Sequence, residues 1–584
     1  MIGKIKYCML VAAAMLSMDA LAGTSSYGEP KDTSKVELSC WQKKGKKLEM
    51  GWVDGDRHYR RYASAPQLRT ADTLLTVWRG ERIGVEALIV SRKDSKPMKV
   101  ELSDFTDSNG KKVEMPGAKA MFMRYVWGND VRACGYQSDT VPVYTIADMI
   151  DLQGTVCTVE AQSVRPVWCT VEVPSDLVPG IYHSELKLVT AKGNKTVASI
   201  GLDIEVLDRK LPAPSDYGFY LDLWQQPYAI SRYYGVEPWS AEHLELLRPY
   251  AEYMARVGQK AVTTILFYEP WGEQSNDKFE PMVQTSRNAD DSWEFDFTIF
   301  DRYVDFMAEY DIDTAIECFT MVPWEMKFRY FDKNAGEYRF LEAVTSSDEY
   351  KELWTAMLTS LAEHLRTKGW FEKTYIFMDE RSLDQMKDAV RVAREAVPDF
   401  KMGLAGNYHA ELVDVLESYT LGAGTTFSAE EFERRREKNM ISLVYTCCAN
   451  PAPSQFVSND PDDGTYLPVY ATAAGFDGYL HWSFQNWNND PMRDTRFFLF
   501  GAGDTFFIYP DGRSSVRYER FAEGVQLSEK IRILREDLEV SGDIEGLKAL
   551  ENAIAPIRSN AMSNAVPSSV IINDLRKEIA ELSR

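Results

Sequence analysis

Thr374-Tyr375-Ile376-Phe377-Met378-Asp379-Glu380-Arg381 is a short apolar run that stops abruptly at two acids and an arginine. β-Branched and aromatic residues dominate its first half, and a run this short and this apolar suits a buried strand. Helical periodicity flanks it on both sides, over Asp348–Thr367 before and Leu383–Ala396 after. A buried strand between two helices is the repeating unit of a parallel α/β sheet.

The alternation continues outward. Strands are expected at Phe219–Leu223, Ala261–Tyr268 and Thr314–Phe319, with helices at Ala241–Val257 and Phe300–Tyr310 between them. Further strands follow near Met402–Leu404, Ser418–Leu421, Leu443–Thr446 and Gly478–Trp482. Eight β units over roughly 280 residues match a (β/α)8 TIM barrel, whose usual size is about 250 residues. A doubly wound sheet is the alternative, but no phosphate-binding glycine fingerprint follows the first strand.

Pro212 and Pro214 mark Lys210–Ser215 as a linker. Ahead of it lie short β runs at Leu74–Trp78, Glu86–Val90 and Lys99–Leu102, then a hairpin of Ile181–Val189 and Val197–Val206. Strands at that spacing predict a β-sandwich. Beyond Gly512 the chain turns helical, with Tyr518–Leu538 and Ile544–Ile554 as the main runs. The expected division is a leader at 1–22, a sandwich at 23–210, a barrel at 211–511 and a helical segment at 512–584.

Lys4 and Lys6 precede an apolar run from Tyr7 to Met18, and Ala20-Leu21-Ala22 completes a secretory signal with cleavage expected before Gly23. The run is too short to span a bilayer, and no later segment is long and apolar enough. Cys8 lies before any lipobox. An exported protein, periplasmic or secreted, is expected. Of the eight cysteines, seven follow the leader, an odd and widely spaced set that is no disulfide framework. Without a CxxC pair no zinc site is expected. Adjacent Cys447 and Cys448 read as two buried thiols on a strand, with a strained vicinal disulfide as the alternative.

A formal charge of -22 excludes nucleic acid and anionic membrane surfaces as partners, because both require basic stripes. No HExxH, EF-hand, P-loop or GxSxG motif occurs, and no cofactor is expected. The sequence leaves the oligomeric state open.

In a barrel the chemistry sits at the C-terminal strand ends. Asp379 and Glu380 stand at such an end, where acids are costly unless paired, hydrated or used; the competing explanation is that Asp379 caps the following helix. The other Asp-Glu step, Asp348-Glu349, follows Ser346-Ser347 and is explained by capping and the helix dipole. Consecutive Cα atoms lie about 3.8 Å apart. Two adjacent acids therefore reach neighbouring atoms of one sugar rather than opposite sides of a scissile bond, which is where a conventional retaining glycosidase needs them. They suit substrate-assisted hydrolysis of an N-acetylhexosaminide. There the sugar's 2-acetamido oxygen attacks the anomeric carbon, one carboxylate holds the acetamido N–H, and the other protonates the leaving oxygen. A like charge beside the acid raises its pKa in the required direction.

Other strand ends supply sugar-binding candidates: Tyr268, Trp324, Asn407, Tyr408, Tyr445, Trp482 and Trp487. Their amide, hydroxyl and indole groups suit hydroxyl recognition and stacking on sugar CH faces, although each Trp has a core explanation. Glu269 is the rival acid: with Glu380 it would make a conventional two-carboxylate site. A non-catalytic glycan-binding protein on the same scaffold is the third reading.

Three segments in order carry a more specific resemblance: Tyr375-Ile376-Phe377-Met378-Asp379-Glu380; Gly478-Tyr479-Leu480-His481-Trp482 with Asn486-Trp487; and Gly503-Asp504-Thr505-Phe506-Phe507-Ile508-Tyr509-Pro510 running on to Ser515, Arg517 and Glu519. With them the chain resembles the Bacteroides-type N-acetyl-β-galactosaminidases of glycoside hydrolase family 123, which also carry a β-sandwich ahead of the barrel. The resemblance implies retaining hydrolysis of terminal β-linked N-acetylgalactosamine, including on glycosphingolipid glycans, through an oxazolinium intermediate. It implies Asp379 as the stabiliser of the 2-acetamido group and Glu380 as the general acid/base.

Overall fold

The computed structural model describes residues 28–32, 41, 47–55, 57–62, 64, 67–71, 73–136, 138, 140–563 and 565–584. The expected leader lies outside these residues.

Two six-stranded sheets open the chain. One contains Leu48–Trp52, Arg82–Ser91, Ser163–Glu172, Lys119–Gly128 and Tyr144–Ile150; the other is built on the Gly180–Thr190 and Thr196–Lys210 hairpin. Alternate residues of both sheets, among them Ala87, Ile89, Val167 and Cys169 against Leu186, Leu188, Leu202 and Ile204, meet in one buried core. This is the expected sandwich, with one addition. Its first sheet is completed by Ser514–Ser515, which pairs with Tyr144–Ile150 after the chain has left the barrel.

The barrel strands are β1 (Tyr220–Leu223), β2 (Ala261–Ile265), β3 (Ala315–Phe319), β4 (Thr374–Met378), β5 (Lys401–Gly406), β6 (Ser418–Gly422), β7 (Ile441–Tyr445) and β8 (Gly478–His481). They form one eight-stranded sheet in the order β1-β8-β7-β6-β5-β4-β3-β2, every neighbouring pair parallel. Gly478 permits the β1–β8 approach, since a Cβ there would fall 1.7 Å from the Tyr220 carbonyl oxygen. The β1–β2 seam is closed mainly by side-chain amides. Gln259 accepts from the Leu223 N–H (2.8 Å) and donates to the Ala261 carbonyl (2.7 Å), while Gln225 accepts from the Thr263 N–H (2.7 Å). These amides satisfy backbone groups that a regular ladder would pair.

Asp222 on β1 and Glu317 on β3 are both fully buried inside the barrel. The Trp224 indole N–H donates to Asp222 Oδ2 (3.1 Å), whereas Asp222 Oδ1 and Glu317 Oε2 have no N–H or O–H donor among the described residues. A proton shared between the two carboxyls would satisfy both. Burial lifts Asp222 above the ordinary carboxylate range, and burial together with the Asp222 charge lifts Glu317 well above it.

A second sheet, not anticipated from the sequence, grows from the loops after β2 and β3. The hairpin Gln284–Arg287/Trp293–Asp296 and the hairpin Lys327–Asp332/Glu337–Glu342 join through parallel pairing of Ser286 and Arg287 with Phe331 and Asp332. Both hairpins leave C-terminal strand ends, so this side sheet stands at the barrel mouth.

Helices Val516–Ser541, Ile544–Asn560 and Ser568–Leu582 close the chain. Arg517 locks them to the other domains. Its guanidinium meets the Asp148 carboxylate of the sandwich at 3.0 Å and donates to the Gly503 (2.6 Å) and Phe506 (2.8 Å) carbonyls, all deeply buried. The Gly503–Pro510 segment is thus held as a wedge between barrel, sandwich and helices.

The two adjacent cysteines correct the sequence reading. Cys448 is disulfide-bonded to Cys134 in the sandwich domain, and β7 ends before Cys447, so the pair is neither two thiols on a strand nor a vicinal disulfide. Cys447 is a free, partly buried thiol. The bridge ties the loop after β7 to the N-terminal domain. Among the described residues no helix is long and apolar enough to cross a membrane.

Candidate active site

β4 is buried along most of its length and delivers Asp379 and Glu380 to the mouth. The helix Leu383–Ala396 is capped by Ser382, whose side chain accepts from the Gln385 N–H, so Asp379 is not its cap. Asp379 is instead tucked inward, only 9% exposed, while Glu380 is exposed. Asp379 Oδ1 accepts the backbone N–H of Glu380 at 2.8 Å. Burial pushes the Asp379 carboxyl up to about 6; the Arg381 charge, that N–H and the Trp324 indole pull it back down, and the Glu380 charge adds to the rise. Near neutral pH Asp379 is a carboxylate facing into the site.

Tyr445, at the end of β7, donates its hydroxyl to Glu380 Oε1. Burial, and then the Glu380 charge, hold the Tyr445 phenol far above its ordinary pKa, so it stays a donor. Gly406 ends β5 against the Glu380 backbone; a Cβ there would lie 3.3 Å from Glu380 Cα. Arg381 turns back, donating to the Glu380 carbonyl (2.5 Å) and the Val322 carbonyl (2.9 Å), and lies 3.8 Å over the Trp324 ring.

Beneath this group is an aromatic floor. Trp224 stacks on Trp271 with ring centres 5.5 Å apart and meets Phe319 edge-on at 4.7 Å; Phe319 in turn touches Phe377 of β4. On the β8 side, Asp504 is buried, and burial lifts its carboxyl to about 7 while Arg517 and the Trp482 indole lower it. Cys447 follows β7 and is partly buried. Burial raises its thiol to about 11, and the charges of Asp504, Glu380 and Asp379 add to that rise.

Among the candidates from the sequence, Tyr445 and Trp324 are gathered around the two acids. Trp482 stands one layer away, partly buried against Phe500 (4.6 Å). Tyr268 is on the rim beneath the Arg329 guanidinium (4.0 Å). Asn407 is exposed, and Tyr408 turns outward so that its hydroxyl donates to Glu431 (2.8 Å) on the helix after β6. Trp487 is a correction: it is fully buried, its indole N–H is spent on the Ile508 carbonyl (2.8 Å), and Tyr233 and Tyr250 pack its ring. It supports the wedge and offers no face to a sugar. Glu269, the rival acid, sits at a positive φ of 53° beside Lys278 (3.7 Å).

Arg381, Trp224 and Asp504 were not singled out as site residues from the sequence, whereas Trp271 closes the strand-two end Tyr268-Glu269-Pro270-Trp271 read there as part of a sugar pocket. Arg381 had a signal, being next in line after the two acids. Asp504 had one too, lying inside the Gly503–Pro510 segment that carries the family resemblance. Trp224 had none beyond its place after β1. Among the described residues no group of three or more His, Cys, Asp or Glu is placed to hold a metal ion.

Residues 224–534 match the model of the glycoside hydrolase 123 catalytic domain, just over half of the chain, and residues 52–190 match the glycoside hydrolase 123 N-terminal domain. The fold is similar to that of a family 123 glycoside hydrolase from Clostridium perfringens, studied for glycolipid glycan hydrolysis. The TM-score is 0.83 at 23% identity, covering 92% of this chain and 99% of that one. A β-galactosidase from the psychrophilic Marinomonas ef1 is far more distant, with a TM-score of 0.34, 11% identity and coverage of 55% and 60%. No curated protein matches the chain. With acids at the mouth of the barrel and both domain models matched in order, the chain belongs to glycoside hydrolase family 123.

Proposed function

We propose that this hydrolase is a retaining exo-N-acetyl-β-galactosaminidase that removes terminal β-linked GalNAc from glycans of the glycolipid type. The observation that carries the mechanism is the division of labour between consecutive acids: Asp379 buried and turned inward, Glu380 exposed and held by Tyr445. Acids one peptide apart leave no room for an enzyme nucleophile opposite an enzyme acid. The substrate's 2-acetamido oxygen takes the nucleophile's place. Asp379, ionised above about pH 6, accepts the acetamido N–H and stabilises the positive oxazolinium that forms. Glu380 gives its proton to the leaving oxygen, then takes one from the water that opens the oxazolinium ring. Two inversions at the anomeric carbon give retention. Galactosamine rather than glucosamine rests on the family resemblance, and the glycolipid class on that resemblance and the clostridial relative.

Export is part of the same reading. Its supports are the leader pattern at 1–22 and the Cys134–Cys448 bridge, which suits an oxidising compartment.

Aryl glycosides test the reading directly. Turnover of the β-GalNAc compound is expected, none of the plain β-galactoside, and inhibition by a GalNAc-thiazoline that mimics the oxazolinium. Equal turnover of the plain galactoside would sink the mechanism, because that sugar has no internal nucleophile. Preference for the β-GlcNAc compound would sink the galacto assignment alone.

A further inference from the structure

The side sheet has two unlike faces. Strand residues alternate between them. One face turns Phe328 inward against Phe267 and Trp354, with ring centres 5.2 and 5.8 Å away. The other face carries Tyr338 and Phe340, which are 53% and 50% exposed, with Phe331 and Arg329 opposite them in register. Large aromatic rings exposed on an edge strand invite unwanted pairing unless they have a use.

Their position supplies one. A continuous series of contacts leads from Glu380 to these rings. Arg381 bonds the Glu380 carbonyl and covers Trp324, itself 45% exposed. The Trp324 N–H donates to the Pro270 carbonyl (3.1 Å), two residues from Tyr268. Tyr268 meets Phe340 at 6.2 Å, and Arg329 lies over both Tyr268 (4.0 Å) and Tyr338 (4.9 Å). The series starts at the acid, which by its role faces the leaving oxygen. From Glu380 the series runs outward through Arg381 to the exposed rings of the side sheet.

We infer that this strip, from Trp324 through Tyr268 to Phe340 and Tyr338, is a binding platform for the sugar residues on the leaving-group side of the scissile bond. The inference rests on the exo-hydrolase reading and extends it to the rest of the glycan. Paired charges set the occupant's chemistry. Arg329 is neutralised by Glu280 (3.2 Å at the longer of two contacts), and Lys327 by Glu325 (3.3 Å) and Glu342 (3.8 Å). With Arg329 and Lys327 so paired, the sheet's exposed face does not suit an anionic lipid surface. Rings interleaved with charged and hydroxyl side chains do not form the contiguous apolar patch of a protein interface. Ring faces for CH groups and nearby polar groups for hydroxyls are what a neutral oligosaccharide needs.

The test is the Tyr338→Ala/Phe340→Ala double variant, assayed on an aryl β-GalNAc and on a GalNAc-terminated tetrasaccharide. The tetrasaccharide should lose about tenfold in kcat/KM, equivalent to about 1.4 kcal/mol and mostly in KM, while the aryl glycoside changes by less than about twofold. Equal losses on both substrates, or none on either, overturn the platform. Binding of the tetrasaccharide to Glu380→Gln protein, with and without the double change, reads the strip without turnover. A weaker affinity in the double variant supports the platform even if the GalNAc hydrolysis reading fails, and equal affinity overturns it even if that reading stands. Loss of self-association or of vesicle binding in the double variant, with oligosaccharide affinity unchanged, would reassign the strip to a second copy or to a lipid surface.

Discussion

The barrel contains two pairs of acids that face opposite problems. Asp379 and Glu380 are neighbours in the chain and part company at the mouth, one buried and one in solvent. Asp222 and Glu317 come from strands separated in sequence and meet in the interior, where solvent reaches neither. In the first pair the two acids have different surroundings and can hold different roles. In the second, burial acts on both and lifts both carboxyls above their ordinary range. Proximity of carboxyls alone therefore does not mark a catalytic site. Asymmetry of environment, at a strand end open to substrate, does.

Breaking the asymmetric pair should have the largest effects. Glu380→Gln removes the proposed proton donor and should lower kcat/KM by about 10³-fold on substrates with poor leaving groups, within the usual 10²–10⁴ for general acids. The loss should shrink on aryl glycosides whose leaving group needs little protonation; an equal loss on both would show that Glu380 is not the acid. Asp379→Asn should cost about 10²-fold or more, the scale of losing one charge-stabilising group. It should also erase the acid limb of the pH–rate profile. That limb is expected near pH 6, because Asp379 must be ionised to act and loses its charge below that value. An acid limb that persists unchanged in the Asn variant would assign it to another group. Tyr445→Phe removes one hydrogen bond to Glu380, about 1.5 kcal/mol or roughly tenfold at the upper end for such a bond. The wild-type tenfold advantage should be seen in kcat rather than in protein stability, read by thermal unfolding.

The eight barrel strands were legible because each is a short buried apolar run, and such runs announce themselves without any knowledge of their neighbours. The acids at the mouth, Asp379 and Glu380, were legible for the same reason: they follow one of these runs directly. The side sheet was not, since Gln284–Arg287 and Glu337–Glu342 are largely polar or exposed and carry no buried run. Asp222 and Glu317 each look like a lone polar residue in a strand, and only the closed barrel brings them together. The Cys134–Cys448 bridge joins residues 314 apart, a pairing that spacing does not reveal. Trp487 shows the limit for aromatics. A Trp beyond a strand end reads alike as platform or as core, and what decides is the partner of its N–H, here Ile508.

The interior pair offers the subtlest test of the comparison. A carboxyl whose folded pKa lies above its unfolded value holds a proton in the folded state that the unfolded state has released, throughout the window between the two. Stability then falls as pH rises through that window. For Asp222 the window runs from the ordinary 3.8 to about 7, and Glu317 is shifted the same way. Each of the two carboxyls should therefore cost the wild type up to about 1.4 kcal/mol per pH unit across its window. Glu317→Gln keeps the volume and a donor for Asp222 but has no proton to lose. Asp379 and Asp504 are also raised and contribute slopes of the same sign, yet both are present in wild type and variant alike and drop out of the difference. The stability read from thermal unfolding should thus fall more steeply between pH 5 and 7 in wild type than in Glu317→Gln, by about 1 kcal/mol or less per unit after partial compensation by Asp222. Activity on aryl glycosides at fixed pH should hold, since this pair sits below the aromatic floor and touches no reacting atom. Parallel pH curves would mean that the interior pair shares no proton, and its burial would then need another explanation.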